Sequence, residues 1–182
     1  MDELIDRHRR ACDGFSAIVG QAEGRWNRPS PCTEWDARGV VEHVIGFHDV
    51  LLLRPMGTKP TRPKDDPATR WSITVPAIFS TLADASDGYL TGDAGIPDVD
   101  IRRLLPMLTT DVLVHTWDVA RAVGVEAVLD ADLCERSLAL VLANEAGLHA
   151  SDMFGPPLPV PDDADAQTKL LALLGRDPDG TR

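Results

Sequence analysis

Asp111 and His115 stand four residues apart in the stretch LPMLTTDVLVHTWDVARAVG, residues 105–124. On a helix, that spacing puts both side chains on one face, with Cβ atoms roughly 5–6 Å apart. A carboxylate and an imidazole so placed can close on one divalent cation. Asp118 follows one turn later and can orient the imidazole from behind, or tie the helix to a neighbouring arginine. An aspartate and a histidine at this spacing also arise as ordinary ion pairs. Metal chemistry therefore needs a third donor from elsewhere in the chain.

The segment that must carry these residues reads as a helix. Leu108, Val112, Val119, Ala120 and Val123 recur at three- and four-residue steps, and Gly124 is placed to end it as a C-cap. Three other histidines lie on helical stripes. A first helix over residues 2–24 carries Leu4, Ile5, His8, Cys12, Phe15, Ile18, Val19 and Ala22 on one face. His8 there reads first as a hydrogen-bonded, half-buried residue and second as one facing a cavity. A second helix, opened by a capping box at Thr33-Glu34-Trp35-Asp36 and running to about Arg54, carries both His43 and His48. Five residues separate them, about 140° around the helix, so they do not point into one site. His43, on the buried side of its helix or its flank, by itself reads as a core histidine bonded to a backbone or side-chain acceptor. His48 and His149 are expected not to be ligands.

The rest of the chain bounds the answer. Its 182 residues are expected to form a single domain, residues 1–182, with 43% hydrophobic composition. A net charge of −11 argues against nucleic acid and anionic membrane surfaces as partners. No apolar run reaches the roughly 18 residues of a membrane span, and the charged MDELIDRHRR start is not a signal peptide. Cys12, Cys32 and Cys134 are widely spaced and odd in number, which suits reduced thiols in the cytoplasm. Cys32, just before the second helix, reads as a small packed residue more readily than as a reactive thiol.

Further helices are expected over residues 68–89, with Pro76 kinking it or marking its true start, from Asp130 through Ala146, and over residues 164–175. Residues 55–67 read as a polar surface connection with the composition of a mobile one, and prolines hold residues 153–163 extended. No alternating run demands a strand. The periodicity gives an all-α protein of up to six helices packed as a bundle.

Two phrases carry a family resemblance. WNRPSPCTEWDARGVVEHVIGF and DVLVHTWDVARAVG resemble the two signatures of the DinB-like, mycothiol-dependent maleylpyruvate isomerase superfamily. The ending FGPPLPVPDDADAQTKLLALLGRDP is similar to that of a single-domain subfamily of the group. The resemblance implies a DinB-like four-helix bundle with additional short helices. It also implies a divalent metal held by a histidine of the second helix, which falls on His43, and by a carboxylate and histidine four apart, which fall on Asp111 and His115. The isomerase pattern has Glu where this chain has Asp111. Three protein ligands leave an open coordination position. Zinc suits the donors best; nickel, iron and manganese also accept them.

The function so implied is a metal-dependent enzyme in which mycothiol, as a thiolate, attacks a small electrophilic substrate in thiol transfer or isomerisation. The alternatives are a hydrolase or lyase using bound water and a non-catalytic metal-binding stress-response protein. Self-association as a homodimer is left open.

Overall fold

The structure, a computed structural model, describes residues 1–92, 96–144 and 155–178. Helices dominate them: α1 (Asp2–Val19), α2 (Ala37–His48), α3 (Pro67–Ala83), α4 (Ile101–Val123), α5 (Ala131–Ala143) and α6 (Ala166–Leu173). A π-helical turn, Asp49–Leu53, continues directly from α2. The backbone groups into two compact units, Met1–Ala127 and Val128–Arg182.

The first unit is a four-helix bundle in which α1 packs on α4, α4 on α2, α2 on α3 and α3 back on α1. Its interior is filled by Phe15, Val40, Val44, Ile45, Leu52, Trp71, Ile78, Leu105, Leu108 and Val112, all at most 2% exposed. Phe15 and Trp71 meet edge to face, with centroids 4.9 Å apart, and the Trp71 indole N–H donates to Ser16 Oγ. α4 is the most enclosed element: every residue from Val112 to Ala120 is buried. A helix wrapped on all sides has no solvated face on which a polar residue can rest. Each polar group on it must find a partner inside.

Several boundaries differ from the sequence expectation, each for a local reason. α1 stops at Val19, and residues 20–24 form turns ending at Gly24, whose φ is +74°. The start of α2 is not a capping box at Thr33. Asp36 is the cap, its carboxylate accepting from Gly39 N–H at 2.8 Å. Residues 29–36 are engaged otherwise: Pro29 bridges Asp36, and the Trp35 carbonyl accepts from Ser30 N–H and Oγ–H. Asp36→Ala should therefore cost about 1 kcal/mol, read as a lowered thermal midpoint with unchanged helix content.

α3 begins at Pro67, capped by Asp66, so Pro76 lies inside it and not at its start. α3 ends at Ala83, short of the expected Tyr89, because Asp87 and Gly88 take positive φ in a turn. That turn leads into a short antiparallel pair, β1 (Tyr89–Leu90) with β2 (Val99–Asp100), where no strand was expected. Asp100, closing β2, caps α4 through Arg102 N–H, so α4 starts four residues earlier than its apolar stripe implies and contains Pro106.

The connection over residues 55–66 is tied down at several points. Arg62 makes a two-pronged ion pair with Asp49 at 2.8 Å on both prongs, the Thr58 N–H donates to Leu53 O, and Arg70 donates to Pro63 O.

In the second unit α5 packs on α6. Asp130 caps α5 as expected, and Asp165 caps α6. Leu133, Val141, Leu170, Leu171 and Leu174 are buried. The backbone N–H of Leu129 donates to Gln167 Oε1, and that of Leu158 to Ala172 O. The expected stripe residue Ala146, and His149, lie outside the described residues.

Candidate metal centre

α2 and α4 carry the site. His43 lies in the second turn of α2; Asp111 and His115 lie on successive turns of α4. Their donor atoms all come within 4.8 Å of one another. Asp111 Oδ1 is the focus: His43 Nε2 lies 3.2 Å from it and His115 Nε2 3.5 Å. The two rings meet edge to face, with centroids 4.8 Å apart. The structure thus brings His43, Asp111 and His115 to one place. His48 points elsewhere, into a second cluster on the far side of α2.

The second carboxylate oxygen, Asp111 Oδ2, is inaccessible to water and has no hydrogen-bond partner. A buried anionic oxygen without a donor is costly. Two imidazole nitrogens and a half-satisfied carboxylate fit a cation bound between them.

Asp118 is fully buried and lies behind His115, its Oδ2 accepting from His115 Nδ1–H at 2.9 Å. That contact fixes the tautomer that leaves Nε2 facing Asp111. The His115 imidazole is thus flanked by a carboxylate on each side. Burial alone would lower its pKa; hydrogen bonds to Asp111 and Asp118 outweigh burial and raise it to about 9. Asp111 is the mirror image. Burial alone would raise its pKa, but hydrogen bonds from His115 and His43 hold it well below the usual carboxylate range.

Trp35 is a site residue the spacing arguments passed over. Its ring stacks on His43, with centroids 4.4 Å apart and planes 25° from parallel, and it also reaches the His115 ring. Phe47 also stacks on His43, with centroids 5.4 Å apart. Gly39 makes room for this: a Cβ there would fall 2.9 Å from the Trp35 Cβ. The signal was present in the PSPCTEWD phrase, which holds Trp35 one residue before the true cap.

His8 departs from the sequence reading in degree, being fully buried and not half-buried. Cys12 is buried too, and Cys32 is half-buried.

Comparison with known proteins places these elements in context. Residues 8–93 match the mycothiol maleylpyruvate isomerase N-terminal domain family. The span includes His43 but not Asp111 or His115. Two uncharacterized proteins of Mycobacterium tuberculosis, MT0763 of strain CDC 1551 and Rv0738 of strain H37Rv, are each 30% identical over 186 aligned residues, covering 97% of this chain and 98% of the relative. No solved structure matches the chain.

Proposed function

Because the chain belongs to the mycothiol maleylpyruvate isomerase N-terminal domain family, we propose that His43, Asp111 and His115 hold one divalent cation, and that the protein joins a small thiol, mycothiol, to a small electrophile. The observation that carries this reading is the convergence of two Nε2 atoms on a buried carboxylate with an unpartnered oxygen. Zinc is the ion these nitrogen and oxygen donors fit first, with an open position remaining beyond three protein ligands.

A dication at this position would supply the charge that lets a thiol lose its proton at neutral pH. Everything else falls to the chain's own side chains. Asp118 keeps the His115 Nδ1 proton and so reserves Nε2 for the site. Trp35 and Phe47 both stack on the His43 ring and limit its rotation. One carboxylate against two neutral imidazoles leaves a dication with residual positive charge, which favours an anionic further ligand such as thiolate. Two of the three cysteines are buried, and their odd number and wide spacing accord with a reducing compartment, the cytoplasm.

Isothermal titration of mycothiol into the zinc-loaded and zinc-free proteins tests the reading. Binding to the loaded form alone is expected. Equal binding to both, or none to the loaded form, removes thiol transfer and leaves a hydrolase or lyase using bound water, or a non-catalytic metal-binding protein. Asp118→Asn should weaken zinc affinity by about 10–100-fold, since an outer partner that orients a ligand histidine is worth that much. Unchanged affinity would confine Asp118 to a packing role.

A further inference from the structure

Across α2 from His43, three more donor groups converge. His8 and Cys12 come from α1 and His48 from the end of α2. All three are fully buried, and their donor atoms lie within 4.8 Å of one another. His48 Nε2 is 3.1 Å from His8 Nε2, and Cys12 Sγ is 3.7 Å from the same nitrogen.

Each imidazole nitrogen of this cluster has a neighbour, and the position of the shared proton follows the tautomer of His8. His48 Nδ1–H donates to Val44 O at 2.7 Å, so with the ring neutral its Nε2 bears a lone pair. With His8 Nε2 protonated, one proton serves both His48 Nε2 and the Cys12 sulfur, and His8 Nδ1 accepts from the Thr109 hydroxyl. If His8 Nδ1–H instead donates to Thr109 Oγ1, 3.1 Å away, both Nε2 lone pairs face each other and the sulfur. A cation at their common centre satisfies all three.

We propose that His8, Cys12 and His48 form a second, separate cation site that takes a soft monovalent ion of the Cu⁺ type. Charge and coordination number select that class. One thiolate and two neutral imidazoles around a monovalent ion sum to zero, and a neutral assembly suits an interior where net charge is expensive. Thiolate and imidazole are donors that Cu⁺ accepts, whereas structural zinc is almost always held by four ligands. Burial pushes both imidazoles down and the Cys12 thiol up, which favours the neutral form of each group in the ion-free protein. Uptake therefore forms a sulfur–metal bond and releases the thiol proton to solvent, with no change of oxidation state.

The assignment is independent of the thiol-transfer reading, because the His43 centre offers only nitrogen and oxygen donors. Anaerobic titration with Cu⁺ against a chromophoric Cu⁺ chelator would test it, in a full-length Cys32→Ser/Cys134→Ser background where Cys12 is the one remaining thiol. We expect one equivalent bound, and X-ray absorption at the copper edge should show one sulfur and two nitrogen neighbours. Adding His115→Ala should leave that equivalent in place while abolishing zinc binding at the other centre. Adding Cys12→Ser should remove it. Should Cys12→Ser fail to fold, the coordination shell in the Cys12-only background decides alone. No Cu⁺ bound there, a copper shell without sulfur, or zinc taken up through Cys12 in place of Cu⁺ would overturn the assignment.

Discussion

Asp111→Asn is expected to abolish zinc binding at the His43 centre, with a larger loss than the roughly 10–100-fold expected for removing an outer partner. Asp111 is the residue both imidazoles face, through Oδ1 at 3.2 and 3.5 Å, and its other oxygen is the buried atom with no partner. Asparagine keeps the shape and removes the charge. It leaves a dication with two neutral ligands and also withdraws the anion that pairs with His115. His115→Ala should lose the ion equally, through loss of a donor and not of charge. Elemental analysis after dialysis against matched zinc would read both. If Asp111→Asn retained a full equivalent, the ion would be held elsewhere, and the His43 centre would be an ion-pair network and nothing more.

The second large effect is a steep rise of zinc affinity with pH. The His115 pKa is raised to about 9 in the ion-free protein by Asp111 and Asp118, so over the neutral range a proton occupies the ring that must coordinate. Each ion bound displaces that proton, which makes affinity climb about tenfold per pH unit, or about 100-fold from pH 6 to pH 8. Competition with a chelator of known pH dependence would measure it, and a flat profile would mean that His115 is already neutral or does not bind.

The same groups shape the stability of the ion-free protein. His115 has a raised pKa, so its contribution is complete below its ordinary value of 6.5 and fades as pH climbs through about 9. Asp111 has a lowered pKa, so its contribution is complete above its ordinary value of 3.8 and is lost in acid, as pH falls through the lowered value. The ion-free protein should accordingly resist urea best between those two ordinary values.

What the sequence discloses and what it conceals divide along the range of the interaction. The Asp111–His115–Asp118 relation is local: one helix at fixed spacing, legible from period alone. The same holds for the core faces of α1, α2 and α4. His43 required the family resemblance, because nothing in the spacing of α2 says which of its two histidines turns toward α4. The His48 angle was readable, and the separation from His43 follows from it. The destination of His48 was not, since its partner His8 lies 40 positions away on α1. Helix ends were misplaced where short-range pairing competes with the helix. The Pro29–Asp36 bridge delays α2, and β2 hands its last residue to α4 as a cap. Apolar periodicity carries no trace of either.

Two of the three donors at the His43 centre ride on a single rigid rod, and the third rides on another. Asp111 and His115 keep a nearly fixed separation whatever α4 does, while their distance to His43 is the gap between α4 and α2. With a cation bound as proposed, the pair of helices would act as a calliper and the ion would be what it gauges. Both helices carry stiff, fully buried valines, Val40 and Val44 on α2 and Val112 on α4, in the bundle interior. One methylene more or less at such positions shifts how closely two helices approach. Preference among ions of different bond length can therefore drift through substitutions in the oily interior that leave every ligand untouched. Relatives with the same three donors need not have chosen the same element.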